Sequence, residues 1–167
     1  MKPLGRPSAG AAILWGLLLG SACVDTALGL VVTLRSAEVS LDAAEVLSVD
    51  LVLDVRVGEH ALAGDDFVVP RAGIVVVDGD PVGEINLDRP EGFDGRLEPG
   101  ESAVVRIAGR SLPGAFPRAR ELLCSGAAVE VVVTWTAREQ PDDPLDPPLM
   151  SMGSASLVTT DVRCAGS

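Results

Sequence analysis

The sequence predicts an all-β protein: a single antiparallel β-sandwich of about seven to eight strands, with at most one short helix near 116–124. Three observations predict it. Apolar and polar residues alternate over several stretches, as a half-buried strand requires. Gly and Pro, 18 and 12 residues of the chain, punctuate those stretches as turn formers. Helical spacing is confined to one short segment, and many short strands with almost no helix pack as two facing sheets.

The elements follow in chain order. Leu28, Leu30, Val32 and Leu34 alternate in the first stretch, and Val39 and Leu41 extend it or begin another strand. The clearest signal runs from Leu47 to Val57. Leu47, Val49, Leu51, Leu53, Val55 and Val57 fall on one face, and Ser48, Asp50, Asp54 and Arg56 on the other, with Val52 the exception. A helix does not gather every second residue on one side. Phe67 to Val69 is a short run closed by Pro70. Ile74 to Val77 is β-branched and stops at the turn Asp78-Gly79-Asp80, after which Ile85 and Leu87 continue. Ala103, Val105 and Ile107 alternate with Ser102, Val104 and Arg106. Val129, Val131, Val133 and Trp135 do the same with Glu130, Val132, Thr134 and Thr136, which makes Trp135 a core residue. Ser156 to Val162 is the last predicted strand, with no clear inner face. Phe116 to Cys124 is the helical candidate, with Pro117 suited to a first turn and Gly126 to a stop. Residues 139–150 contain Pro141-Asp-Asp-Pro-Leu-Asp-Pro-Pro148. Proline lacks the N–H that a central strand or helix needs, so this is a stiff, acidic, exposed loop.

Charge narrows the function. The 167 residues include 13 basic and 24 acidic side chains, a formal charge of −11. A nucleic-acid binder needs a basic face to displace counterions, so that class is excluded. Aromatics are 3% of the chain, with no Tyr, so a platform that stacks bases or sugars is not expected.

Met1 to Ala22 reads as an export address. Lys2 and Arg6 are positive, no charge follows up to Ala22, and Ala11 to Gly20 is nearly all apolar. The apolar stretch is shorter than the roughly 20 residues that cross a bilayer. It ends Leu19-Gly20-Ser21-Ala22-Cys23, which resembles the lipobox of bacterial lipoproteins, with Gly20 where Leu or Val is more usual. The resemblance implies cleavage before Cys23, acylation of its sulfur, and a short linker over 23–27. Val24 rather than Asp resembles the version sent on to an outer membrane. The expected location is therefore the outer membrane, or the outer face of the cell membrane. Losing Lys2 and Arg6 leaves 11 basic against 24 acidic residues, or −13. Cys124 and Cys164 remain in an oxidising compartment, and an even remainder reads as a disulfide. The other use of two thiols is a metal, but no His or second Cys pair lies near either.

Residues 28–164 form the expected domain, and they resemble bacterial immunoglobulin-like or fibronectin type III-like modules. The residues that carry the resemblance are the strand Val46 to Val57, the strand and turn Ile74-Val-Val-Val-Asp-Gly-Asp-Pro-Val82, and Leu97-Glu-Pro-Gly-Glu-Ser102 leading into Ala103 to Ile107. The antibody-type order of Cys, Trp and Cys is present formally as Cys124, Trp135 and Cys164. Both cysteines come late, so they are expected instead to pin the last two strands.

Catalytic machinery is sparse. The chain has one His, His60, in a predicted loop, and after the signal it has no Lys. There is no Gly-x-Ser-x-Gly elbow and no phosphate-binding glycine loop with Lys. Asp78 to Glu84 begins like an EF-hand loop but fails at Val82 and Arg89. Loop carboxylates at Asp65, Asp66, Asp78 and Asp80 are the candidate Ca²⁺ ligands, since hard cations take oxygen donors. Met150 and Met152 offer thioethers that suit Cu(I), or serve as core or loop residues. The resulting expectation is a non-catalytic, lipid-anchored envelope module with structural, adhesive or assembly duties. It needs no cofactor, touches the membrane through Cys23, and meets an envelope protein partner. The alternatives are a Ca²⁺-binding module and, less favoured, a carboxylate-dependent hydrolase.

Overall fold

The structure, a computed structural model, describes residues 29–77, 79–90, 92–141, 143 and 145–165. Cys23, the signal segment, the linker and Asp78 lie outside the described residues. Among the described residues eight strands and one short helix form two four-stranded sheets, so the protein is an all-β sandwich.

The first sheet is built around β2 (Leu47–Val57), flanked by β1 (Leu30–Leu41) and β5 (Ser102–Arg110). β2 is as the alternation predicts: its odd-numbered residues are all buried, and Val52 points outward with Asp50 and Asp54. Leu47, Leu53 and Val55 are fully covered. Burying each such side chain stabilises the fold by about 1.5–3 kcal/mol. β1 is one strand, not two. A bulge between Leu34 and Ser36 inserts Arg35 and flips the parity, so Leu34 faces inward before it and Ala37, Val39 and Leu41 after it.

The second sheet runs in the order β4 (Pro81–Asn86), β3 (Ala63–Val76), β6 (Val129–Gln140), β7 (Leu149–Thr159). The sequence predicts two strands separated at Pro70, but β3 is continuous. It has two register shifts against β6, one between Val68 and Arg71 that takes up Pro70. A bulge tolerates the missing donor, and the Pro70 carbonyl still accepts the Leu87 N–H at 3.0 Å. The predicted loop 139–150 is shorter than expected, because β6 runs to Gln140 and β7 starts at Leu149. The expected last strand, 156–162, is really two. β7 ends at Thr159, and β8 (Val162–Cys164) crosses to the first sheet to pair parallel with β1.

With strands 1 to 7 lettered A, B, C, C′, E, F and G, the sheets read E-B-A and C′-C-F-G. That is the immunoglobulin-like plan, with β8 added beside A. Trp135 lies in the core at 8% exposure, and no polar or charged side chain is buried among the described residues. The helix α1 (Ala119–Leu123), in the connection from β5 to β6, falls inside the predicted 116–124, lies near β1, β4 and β8, and buries Ala119 and Leu123.

Where the sheets meet at one corner, only glycine fits. Leu87 bridges to Gly109, and a Cβ on Gly109 would stand 2.6 Å from the Asn86 carbonyl oxygen and 2.8 Å from Leu87 Cδ2. Gly109→Ala is expected to destabilise the fold by about 1–3 kcal/mol, as overpacking against backbone does. Urea unfolding measures this. An unchanged midpoint would mean that β5 and the end of β4 separate without loss.

Candidate functional site

The sandwich has two unlike ends. At one end the chain enters at Gly29, whose carbonyl accepts the Gly58 N–H at 3.2 Å. The β6–β7 loop lies at this end too, where Leu62, Pro141, Asp143, Asp146, Pro147 and Leu149 line a shallow groove. Asp143 shapes the loop by accepting the Leu145 N–H on its carboxylate at 2.9 Å, and Leu145 stands 89% exposed. His60 is an exposed residue of the neighbouring β2–β3 turn.

At the other end Cys124, just after α1, is disulfide-bonded to Cys164 of β8, with Cα atoms 5.9 Å apart. The expected bond is present, and β6 and β7 pair antiparallel with Val129 opposite Thr159. The tie differs from the expected one: it joins α1 to the edge of the first sheet, not the last two strands of one sheet to each other. Arg120 reinforces it, donating to the Ala165 carbonyl at 3.1 Å and the Asp42 carbonyl at 3.0 Å.

Among the described residues the candidate Ca²⁺ ligands are not brought together, and Asp78 lies outside those residues. Asp65 and Asp66 lie near the start of β3, and Asp80 follows its far end. At about 3.3 Å per residue roughly 30 Å separates them. Asp66 is ion-paired with Arg138, and Asp80 with Arg118 at 3.0 Å. The hydrogen bond from Arg118 to Asp80, with the nearby charge of Glu121, holds the guanidinium above its usual pKa. Among the described residues no three His, Cys, Asp or Glu side chains gather as a metal site would require.

The acids that do approach one another sit elsewhere, and the sequence alone does not bring them together. Register places Glu38 directly opposite Asp50 on the outer face of the first sheet, in a shallow groove that Asp88, Arg89, Arg106 and Asp161 also line. Arg163 of β8 binds Glu38 at 2.7 Å and Asp161 at 3.4 Å. Such solvated pairs contribute about 0–1 kcal/mol each and neutralise acids that would otherwise repel. The groove holds no ring on which a sugar could stack.

The outer face of the second sheet has a different character. Val132, Thr134 and Thr136 of β6 lie beside Ser156, Ser154 and Met152 of β7. Met150, Met152 and Val158 are 63%, 77% and 56% exposed. β7 carries no charged residue at all. Met150 and Met152 are therefore strand residues on the surface and not core residues. They belong to an open, uncharged strip in an otherwise acidic protein.

These features define a disulfide-tied, immunoglobulin-like β-sandwich. No protein-family model matches the chain, and no curated protein does. One solved structure, described as "Crystal structure of protein from Archaeoglobus fulgidus", is similar over 76% of this chain and 98% of its own, at 16% identity and a TM-score of 0.34. That overlap is too loose to carry an argument about function.

Proposed function

We propose that the protein is a non-catalytic, lipid-anchored envelope module that works through surface contacts in structure, adhesion or assembly. The observation that carries this reading is the run Leu19 to Cys23 after an apolar stretch, set close before the first strand. The residues from Val24 to Gly29 reach at most about 20 Å when fully extended. Acylation at Cys23 would then hold the entry end of the sandwich near the bilayer and turn the disulfide end away. The Cys124–Cys164 bond supports export, since such bonds persist in oxidising compartments. Acylation on sulfur and on the new amino terminus supplies the multiple chains that stable anchoring needs.

Intact mass of the protein extracted from native membranes tests the reading. The expected mass lacks residues 1–22, gains acyl chains at Cys23, and rises by two hydrogen atoms when a reductant converts the disulfide to two thiols. An unacylated mature mass would end the anchored reading and leave a soluble exported domain.

A further inference from the structure

The loop between β6 and β7 presents apolar side chains where the chain enters the sandwich. Leu145, in the middle of that loop, is the most exposed large apolar side chain among the described residues. Leu149 is exposed too, and with Leu62, Pro141 and Pro147 it lines the groove at the foot of the loop. The loop is pinned as a turn by its own bonds. The Asp143 carboxylate accepts the Leu145 N–H, and the Asp143 carbonyl accepts the Asp146 N–H at 3.0 Å. Pro141, Pro147 and Pro148 fix their backbone angles, so little chain freedom is left to lose when the loop docks. The segment from Cys23 joins the fold at the same place. Leu149 is the register partner of Glu139, and Glu139 Oε1 lies 3.8 Å from where a Cβ on Gly29 would stand. With neighbouring strands about 5 Å apart, the loop begins roughly 10 Å from that junction.

We infer that the β6–β7 loop is a second membrane contact: Leu145, with Leu149 beside it, seats in the interface of a neutral, zwitterionic lipid surface and fixes which way the anchored domain faces. The inference rests on the reading of Cys23 as an acylated anchor. A tether that reaches at most about 20 Å keeps the loop at the bilayer at high effective concentration. An apolar contact too weak to hold a free protein at a membrane is then enough to orient a bound one. Charge selects the lipid. Asp143 and Asp146 flank Leu145, and the mature chain carries −13, so anionic headgroups repel this end while neutral ones do not. The same acids oppose a second copy at the loop, because like charges would face one another.

Fluorescence quenching in vesicles tests the inference. With Cys23 acylated and Cys124 bonded to Cys164, Leu145→Cys gives one free thiol to label. Leu112→Cys gives another at the opposite end, where the Ser111 N–H donates to the Leu47 carbonyl. Both replaced residues are exposed, and unchanged thermal melts exclude a folding defect. The acylated variants are reconstituted in phosphatidylcholine vesicles, and flotation reports the anchor. Nitroxide-bearing lipid is expected to remove most of the fluorescence at position 145 and little at position 112. Leu149→Glu added to the first variant should reduce that quenching. Anionic phosphatidylglycerol at low salt should reduce it too, and added salt should restore it. Flotation with equal quenching at both positions, or with none at 145, overturns the inference and leaves the anchor standing. Loss of flotation ends the anchored reading and the contact together. Unacylated protein in buffer should show a solvated label at 145. A shielded one would assign the groove to residues 24–28 or to a second copy and overturn the inference.

Discussion

Reduction of Cys124–Cys164, or its replacement by two serines, is expected to lower the unfolding free energy by about 4 kcal/mol and Tm by roughly 10–20 °C. The magnitude follows from the 40-residue separation, because the bond removes loop freedom from the unfolded chain. The location adds a second expectation. β8 pairs with β1 over only Val39 to Leu41. Without the disulfide it is held by that short ladder, the bond from Ala165 N–H to the Leu41 carbonyl, the exposed Arg163–Glu38 ion pair and the Arg120 contacts. Amides of residues 162–165 should lose exchange protection before the rest of the sandwich, as the weakest cooperative unit does. Denaturant unfolding with and without reductant measures the first effect, and native-state hydrogen exchange the second. Equal stability of oxidised and doubly substituted protein would show that α1 and β8 hold each other without the bond.

The parts of this fold legible in the sequence are those that bury bulky side chains on one face only. β2 is read to the residue because its inner row is Leu and Val throughout and its partners lie on both sides. β5 and the start of β6 are legible for the same reason. Bulges hide the rest. Arg35 breaks the parity of β1, and the irregularity at Pro70 makes one strand of β3 look like two. β7 is read only in its last residues, as part of the expected strand 156–162, because an edge strand buries little. Its inward positions are Ser151, Gly153, Ala155, Leu157 and Thr159, none fully covered, so there is no apolar row to read. That Leu149 to Thr159 lacks charge is visible in the sequence, but its place at an edge requires the strand order. The disulfide shows the same division. Parity of the cysteines gives the pair, while the switch of sheet at Thr160–Asp161 decides what the pair ties together.

Trp135→Ala is expected to destabilise the protein by about 3–5 kcal/mol, the range for deleting a buried large aromatic. Its ring is 6.2 Å from Phe67, which meets Phe93 edge-on at 6.0 Å, so three of the few aromatics form one cluster. The indole also lies over Gly153, its register partner on β7, where an added Cβ would sit 2.6 Å from Cζ2. This close approach makes the sign of a substitution at Gly153 depend on Trp135. In the wild-type background Gly153→Val must displace the ring and should cost about 1–3 kcal/mol. In the Trp135→Ala background the space is open, and valine in place of glycine in a strand becomes favourable. Urea unfolding of the two single variants and the double variant measures the coupling. Strict additivity would mean that β7 already moves away from the ring. A reversal of sign would show that the ring sets the position of β7 on β6.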